Sequence, residues 1–193
     1  MESTHPSPLL SMKAPILILT ALLTASGVLA QESARSPYAG FEGREIKSLS
    51  AERITGLLAG SGLGYAMAAE LNAYPGPKHV LELAEQLTLT DEQRKATEAL
   101  FLQMQQVAMT IGKEVVNLET ELDALFASGN IDAAGIGRLT ALIGAKEAEL
   151  RAVHLATHLE MKPILTMHQQ HLYQQLRGYN GQAMDHGAEG HDH

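Results

Sequence analysis

The strongest constraint on the fold lies between Asp91 and Phe126, where Ala96, Leu100, Met104, Val107, Ile111, Val115, Leu118, Leu122 and Leu125 recur at steps of three or four. That spacing lines one side of a helix and leaves the other side polar, whereas a strand alternates with a period of two. The apolar stripe of so long a helix needs a partner surface. The next stretch offers one. From about Asp132 to Met161, the residues Ile136, Leu139, Ile143, Leu150 and Val153 form a second stripe, entered through Ser128-Gly129-Asn130. Two long helices joined by so short a turn predict an αα-hairpin.

The starts of two helices carry the same phrase, Leu89-Thr90-Asp91-Glu92-Gln93 and Leu165-Thr166-Met167-His168-Gln169. A threonine at the N-cap accepts a hydrogen bond from a free first-turn N–H, and a glutamine three residues on reaches back to the N-cap N–H. Asp91 and Glu92 then sit where the helix dipole favours negative charge. Thr166 opens a last helix over about Met167 to Leu176, after a boundary at Pro163. Upstream, Ser50 is placed to cap a helix starting at Ala51, which Gly60-Ser61-Gly62-Leu63-Gly64 interrupts. Asn72-Ala73-Tyr74-Pro75-Gly76-Pro77 is a turn signal, followed by a short helix from about Lys78 to Gln86. No β pattern competes. The expected fold is all-α: a long antiparallel helical hairpin with shorter flanking helices. One hairpin of this length has too thin a core to shield both sides, so either a dimer or N-terminal helices packed over it must complete the burial.

The termini read differently. Lys13, the apolar run from Ala14 to Leu23 and the small-residue region ending Val28-Leu29-Ala30 have the form of an export signal cleaved after Ala30. The run is shorter than the ~20 residues of a membrane span. The start codon falls at Met1 or at Met12, whose Met-Lys-Ala opening suits such a leader better. Residues 31–49 read as an irregular lead-in, 50–179 as the helical domain, and 180–193 as a disordered, His-rich tail. The expected product is exported and periplasmic, with no membrane span once the leader is gone. The net charge of -8 argues against a nucleic-acid partner. Cysteine is absent, so disulfides and thiolate metal sites are excluded.

Taken together, the export signal, the helical plan, the repeated Leu-Thr-x-x-Gln, the segment Ala69 to Val80 and the phrase Leu176-Arg177-Gly178-Tyr179 resemble the Spy/CpxP-type periplasmic proteins, with their heavy-metal sensor and resistance relatives CnrX and ZraP. The resemblance spans roughly residues 40–179. It implies a four-helix, hairpin-based fold, often dimeric with a concave face. It also implies work in envelope stress: holding unfolded envelope proteins without ATP, or sensing and buffering metal ions.

Candidate chemistry is confined to histidines and their neighbours. His154 and His158, four apart on the second long helix, lie one turn apart on one face, and two neutral imidazoles at that spacing chelate one ion. Met161 follows three residues later as a possible thioether ligand, and Glu147 lies two turns before His154. Such a set suits zinc, nickel, cobalt or copper better than magnesium or calcium. The paired histidines that the sensors carry on an early helix have no counterpart here, where Glu70 and His79 are the available donors. His168 and His171 form a second same-face pair. In the tail, His186, His191 and His193 among Asp185, Glu189 and Asp192 form a short tract able to bind divalent ions loosely. Each of these histidines also has a plain structural reading, as a boundary residue beside a core stripe or as part of a solvated face. Met104, Met109 and Leu102, beside Gln103, Gln105 and Gln106, offer an adaptable surface for unfolded chains. The sequence lacks a Gly-x-Ser-x-Gly elbow, a His-Glu-x-x-His phrase and a nucleotide loop, so no enzymatic activity and no required cofactor are expected.

Overall fold

The computed structural model describes residues 36–179. All regular elements among the described residues are helical, as the spacing of apolar residues requires. The chain divides into two units, Met1–Glu42 and Gly43–His193. The described part of the first is a turn in which the Ser36 hydroxyl accepts the Tyr38 N–H at 3.1 Å. The proposed leader over residues 1–30 lies outside the described residues, as do His186, His191 and His193.

Among the described residues the second unit holds six α-helices: α1 (Ala51–Leu58), α2 (Met67–Glu70), α3 (Pro77–Glu82), α4 (Asp91–Ala127), α5 (Ala133–Met161) and α6 (Met167–Leu176). A 3-10 turn, Lys162–Ile164, links the last two. The helix starts are written in the sequence. Ser50 accepts the Arg53 N–H at α1 and Asp132 accepts the Gly135 N–H at α5. Both Leu-Thr-x-x-Gln phrases form complete capping boxes. Thr90 Oγ1 accepts the Gln93 N–H at 3.2 Å while Gln93 Oε1 accepts the Thr90 N–H at 3.1 Å. The same pair at Thr166 and Gln169 measures 3.2 and 2.9 Å.

The two boxes meet in space. Gln93 Nε2 donates to Gln169 Oε1 at 2.8 Å and Gln169 Nε2 donates back to Gln93 Oε1 at 2.9 Å. The remaining amide protons go to backbone: Gln93 to the Ile164 carbonyl at 2.8 Å, and Gln169 to the Leu87 carbonyl at 3.2 Å. Each glutamine thus caps its own helix and ties it to the other. A buried amide satisfied at every position avoids the desolvation penalty that an unpaired one carries.

Packing between helices places the core in two clusters. One gathers Ile46, Leu57, Ala108, Ile111, Val115 and Leu150; the other gathers Val80, Leu87, Met161, Leu165 and Tyr173. α4 packs against α5, and α1 crosses α4 where the helix presents Gly112. A Cβ on Gly112 would run into the Leu57 carbonyl, so the absent side chain sets how closely the two backbones approach. The buried face of α4 is turned from the one the periodicity predicts: Ala96 and Val107 are exposed, and Thr97, Ala108 and Gly112 are buried in their place. The cause is steric. α1 docks on the small residues of α4, where backbones can come close, rather than on the bulkiest. On α5, Ile136 is likewise exposed, and the buried positions are Leu139, Leu150, His154, Thr157 and Met161.

The N-terminal helices cover only part of the long pair. Beyond Val115, α4 has no buried residue; Leu118, Leu122 and Leu125 are half-buried and Phe126 is exposed. Among the described residues no helix is long and apolar enough to cross a membrane.

Candidate functional site

A cavity of about 490 Å³ lies inside the second unit. Its walls come from the glycine-rich bend 60–64, from Glu70 on α2, from Gly76 at the N-cap of α3, from Phe101 and Met104 on α4, and from His154 and His158 on α5. The i, i+4 spacing on α5 therefore does bring both histidines to one cavity.

His158 is oriented by backbone. Its Nδ1 lies 2.8 Å from the Tyr74 carbonyl, which can only accept, so Nδ1 carries the proton and Nε2 the lone pair in the neutral ring. Gly76 leaves that edge open. A Cβ there would stand 2.7 Å from His158 Cε1 and 2.8 Å from Nε2, and 3.5 Å from Glu70 Oε2. The turn Tyr74-Pro75-Gly76-Pro77 thus both fixes the imidazole and makes room beside it.

His154 is 4 % exposed and stacks on Tyr65, the ring centroids 5.8 Å apart and the planes within 10°. Its Nε2 is buried with no hydrogen-bond partner among the described residues. Burial, and secondarily the neighbouring His158, hold its pKa below the ordinary imidazole value, which favours the neutral ring. Tyr65 is held in turn from the far side. It donates to Glu147 and accepts from Arg53 at 2.6 Å, and Arg53 also pairs with Glu147 at 3.0 Å. Glu147, in line with His154 on the helix, therefore serves the tyrosine that braces the histidine.

Glu70 is buried with its two oxygens in different situations. Oε1 accepts from the Tyr173 hydroxyl at 2.6 Å, the Tyr179 hydroxyl at 3.0 Å and Arg177 Nε at 3.3 Å. Oε2 has no hydrogen-bond partner among the described residues and lies 3.6 Å from His158 Nδ1, whose proton is already given to Tyr74. Tyr173 also accepts the Gly76 N–H at 3.4 Å, so its hydroxyl bridges two walls of the cavity. Burial, then the Glu70 bond, raise the Tyr173 pKa and keep the hydroxyl a donor.

The other sequence candidates lie elsewhere. Met161 is fully buried in the apolar cluster with Val80, Leu87, Leu165 and Tyr173 and does not line the cavity. It lies one turn beyond His158 on a helix whose face, by then, has turned into the core. His79 lines the cavity and bonds Glu82 through Nδ1 at 2.7 Å, an interaction that lowers the Glu82 pKa. His168 and His171 are exposed, and His171 Nε2 pairs with the Gln175 amide at 3.1 Å. Among the described residues no three His, Asp or Glu side chains already converge around one point as metal ligands would.

Spacing alone missed Gly76, Tyr173, Arg177 and Tyr179. They come from stretches about a hundred positions apart and meet at Glu70, which no local spacing signals. Comparison of the chain with protein-family models, with curated proteins and with solved structures gave no match.

Proposed function

We propose that this chain is a periplasmic protein of envelope stress defence that holds unfolded envelope proteins passively, without ATP, and binds a divalent transition ion in the cavity of Glu70, His154 and His158. In this reading α4 and α5 form the long antiparallel hairpin of a Spy/CpxP-like scaffold, and the working state is a homodimer.

The observation that carries the metal-binding part is that Glu70 and His154, each with a buried side-chain atom lacking a partner, line one cavity with His158. A buried polar atom without a partner costs about 1–3 kcal/mol. Drawn together with His158, these residues would supply two imidazoles and a carboxylate, a set that suits zinc, nickel or cobalt. The bound ion would supply a positive charge that satisfies both orphaned atoms, and the side chains would draw inward to reach it. With Met161 in the core, the thioether that would favour monovalent copper is missing from the set.

The holding function is supported by a different observation. Leu102 and Met109 on α4, and Phe126, Ile136 and Leu142 on the thin segment 116–149, leave apolar side chains in solvent. Flexible apolar surface of that kind adapts to varied partners. A dedicated metal sensor is the competing reading, favoured by how deeply the orphaned atoms are buried.

Calorimetric titration of the chain lacking residues 1–30 with zinc, nickel, cobalt and copper, alongside His154→Ala and a form truncated after Tyr179, tests this. Stoichiometric binding lost in His154→Ala and kept in the truncated form supports the cavity. Binding lost only on truncation moves it to the tail histidines. Suppression of client aggregation at near-equimolar ratio supports the holding role, and its absence with tight metal binding leaves the sensor.

A further inference from the structure

At about 490 Å³ the cavity falls within the ~300–1,000 Å³ range of sites that enclose a small organic molecule. Its lining is mixed in the way such sites are. Phe101 and Met104, three apart on α4, and Ala66 give it apolar wall. Gly60, Gly62, Gly64 and Gly76 give it bare backbone, against which a flat ring lies close. A Cβ added at Gly62 would meet nothing within 4 Å, and one at Gly64 only the Met67 Cε at 3.8 Å. We propose that the cavity binds a small neutral phenol, whose ring lies against Phe101 and Met104 and whose hydroxyl donates to His158 Nε2. The proposal goes beyond the reading of the cavity as an ion site. It asks nothing of Glu70 Oε2 or His154 Nε2, which have almost no accessible surface.

The hydroxyl follows from what the wall leaves open. His158 Nδ1 gives its proton to the Tyr74 carbonyl at 2.8 Å, which leaves Nε2 a fixed acceptor. Unlike Glu70 Oε2 and His154 Nε2, it keeps accessible surface, and no hydrogen bond reaches it among the described residues. Gly76, beside it on the lining, has no side chain to cover it; a Cβ there would stand 2.8 Å from Nε2. Side chains near it spend their protons on backbone. The Thr157 hydroxyl donates to the Val153 carbonyl at 2.8 Å, and the Gln105 amide donates to the Ala59 carbonyl at 3.3 Å. A ligand therefore has to bring the proton.

With the side chains where they stand, the cavity suits an uncharged ligand. Glu70 already has Arg177 as counter-ion on Oε1, at 3.3 Å. Lys78 and His79 face Glu82 at 3.9 and 2.7 Å, so an anion would have to compete for them. A charge taken in without a partner costs far more than a hydroxyl that finds an acceptor. A ring is preferred to an alkyl chain because Phe101 offers an aromatic edge or face and Met104 a polarizable thioether, both of which favour aromatic neighbours. Ser61, Gly62 and Lys78 are exposed residues of the lining and mark its opening to solvent.

The test is calorimetric titration of the purified protein, kept metal-free with EDTA, with para-cresol and with its methyl ether, which keeps the ring and lacks the donor. The unsubstituted chain is compared with His158→Phe and Gly76→Ala, and the His158 ring nitrogens are followed by NMR of isotope-labelled protein. The expected result is saturable one-to-one binding of para-cresol, at least fivefold tighter than that of the ether, as one hydrogen bond contributes. Binding should shift the His158 Nε2 signal and weaken at least fivefold in either variant. Binding of neither compound, equal binding of both, or binding that leaves the Nε2 signal unmoved overturns the proposal. Full affinity in His158→Phe overturns it too. Should both variants fail to fold, the unsubstituted chain decides alone, through the two ligands and the His158 signal. With no metal present, none of these outcomes bears on the ion reading.

Discussion

Gln169 shows how much one side chain settles here. Its amide caps α6, bonds the Gln93 amide in both directions and reaches the Leu87 carbonyl. Gln169→Ala leaves the Gln93 amide and a buried carbonyl short of partners, and an expected loss of about 2–3 kcal/mol follows. The loss in Gln93→Ala plus that in Gln169→Ala should exceed the loss in the double variant by at least about 0.5 kcal/mol, because each single change orphans the other's partner. Urea unfolding of the three variants measures this, and strict additivity would show the amide pair to be inert. His154 makes a second prediction at this scale. Its folded pKa lies below the ordinary 6.5 because burial disfavours the charged ring. As pH falls through that ordinary value the unfolded chain takes up the proton first, so stability falls until the folded pKa is passed and then levels. Metal-free protein should therefore be less stable near pH 5 than near pH 7.5, and His154→Gln should flatten that difference in denaturant titrations.

Helix by helix, small residues decide what touches what. Gly112 is the point where α1 crosses α4, and a side chain there meets the Leu57 backbone rather than a movable side-chain end. Gly112→Val should cost about 2 kcal/mol or more through overpacking, and protease cleavage within α1 should accelerate as that helix lifts. Gly137 is the contrast, since nothing lies within 4 Å of a Cβ added there. Gly137→Ala should stabilise α5 by roughly 0.5–1 kcal/mol, because alanine loses less backbone freedom in a helix interior. Thermal unfolding of the two variants reads these opposite signs directly. The helix starts at Ser50, Thr90 and Thr166 were legible because a cap is a local bargain between one side chain and the next turn. The rotation of α4 was not legible: Ala108 in place of Val107 is chosen by what docks on the helix, not by hydropathy.

For the whole molecule, the cavity and the thin segment 116–149 are where sequence-level consistency breaks, and such breaks are where function is to be sought. Zinc added at ~100 times its dissociation constant should stabilise the chain by about 2.7 kcal/mol, reversed by a chelator, if the ion binds only the folded state. A zinc-independent melting curve would argue that the orphaned atoms of Glu70 and His154 face water instead.

The sequence by itself determined the helical class, the capped starts at Ser50, Thr90 and Thr166 and the shared face of His154 and His158, because caps and the 3.6-residue period act within a turn or two. Only the tertiary structure decided that Glu70 sits opposite those histidines, that Met161 turns into the core and that Arg177 and two tyrosines grip the carboxylate from behind. Those residues are separated by some hundred positions along the chain. No local rule links them, and they meet only because the long helices return the C-terminal segment to the N-terminal one.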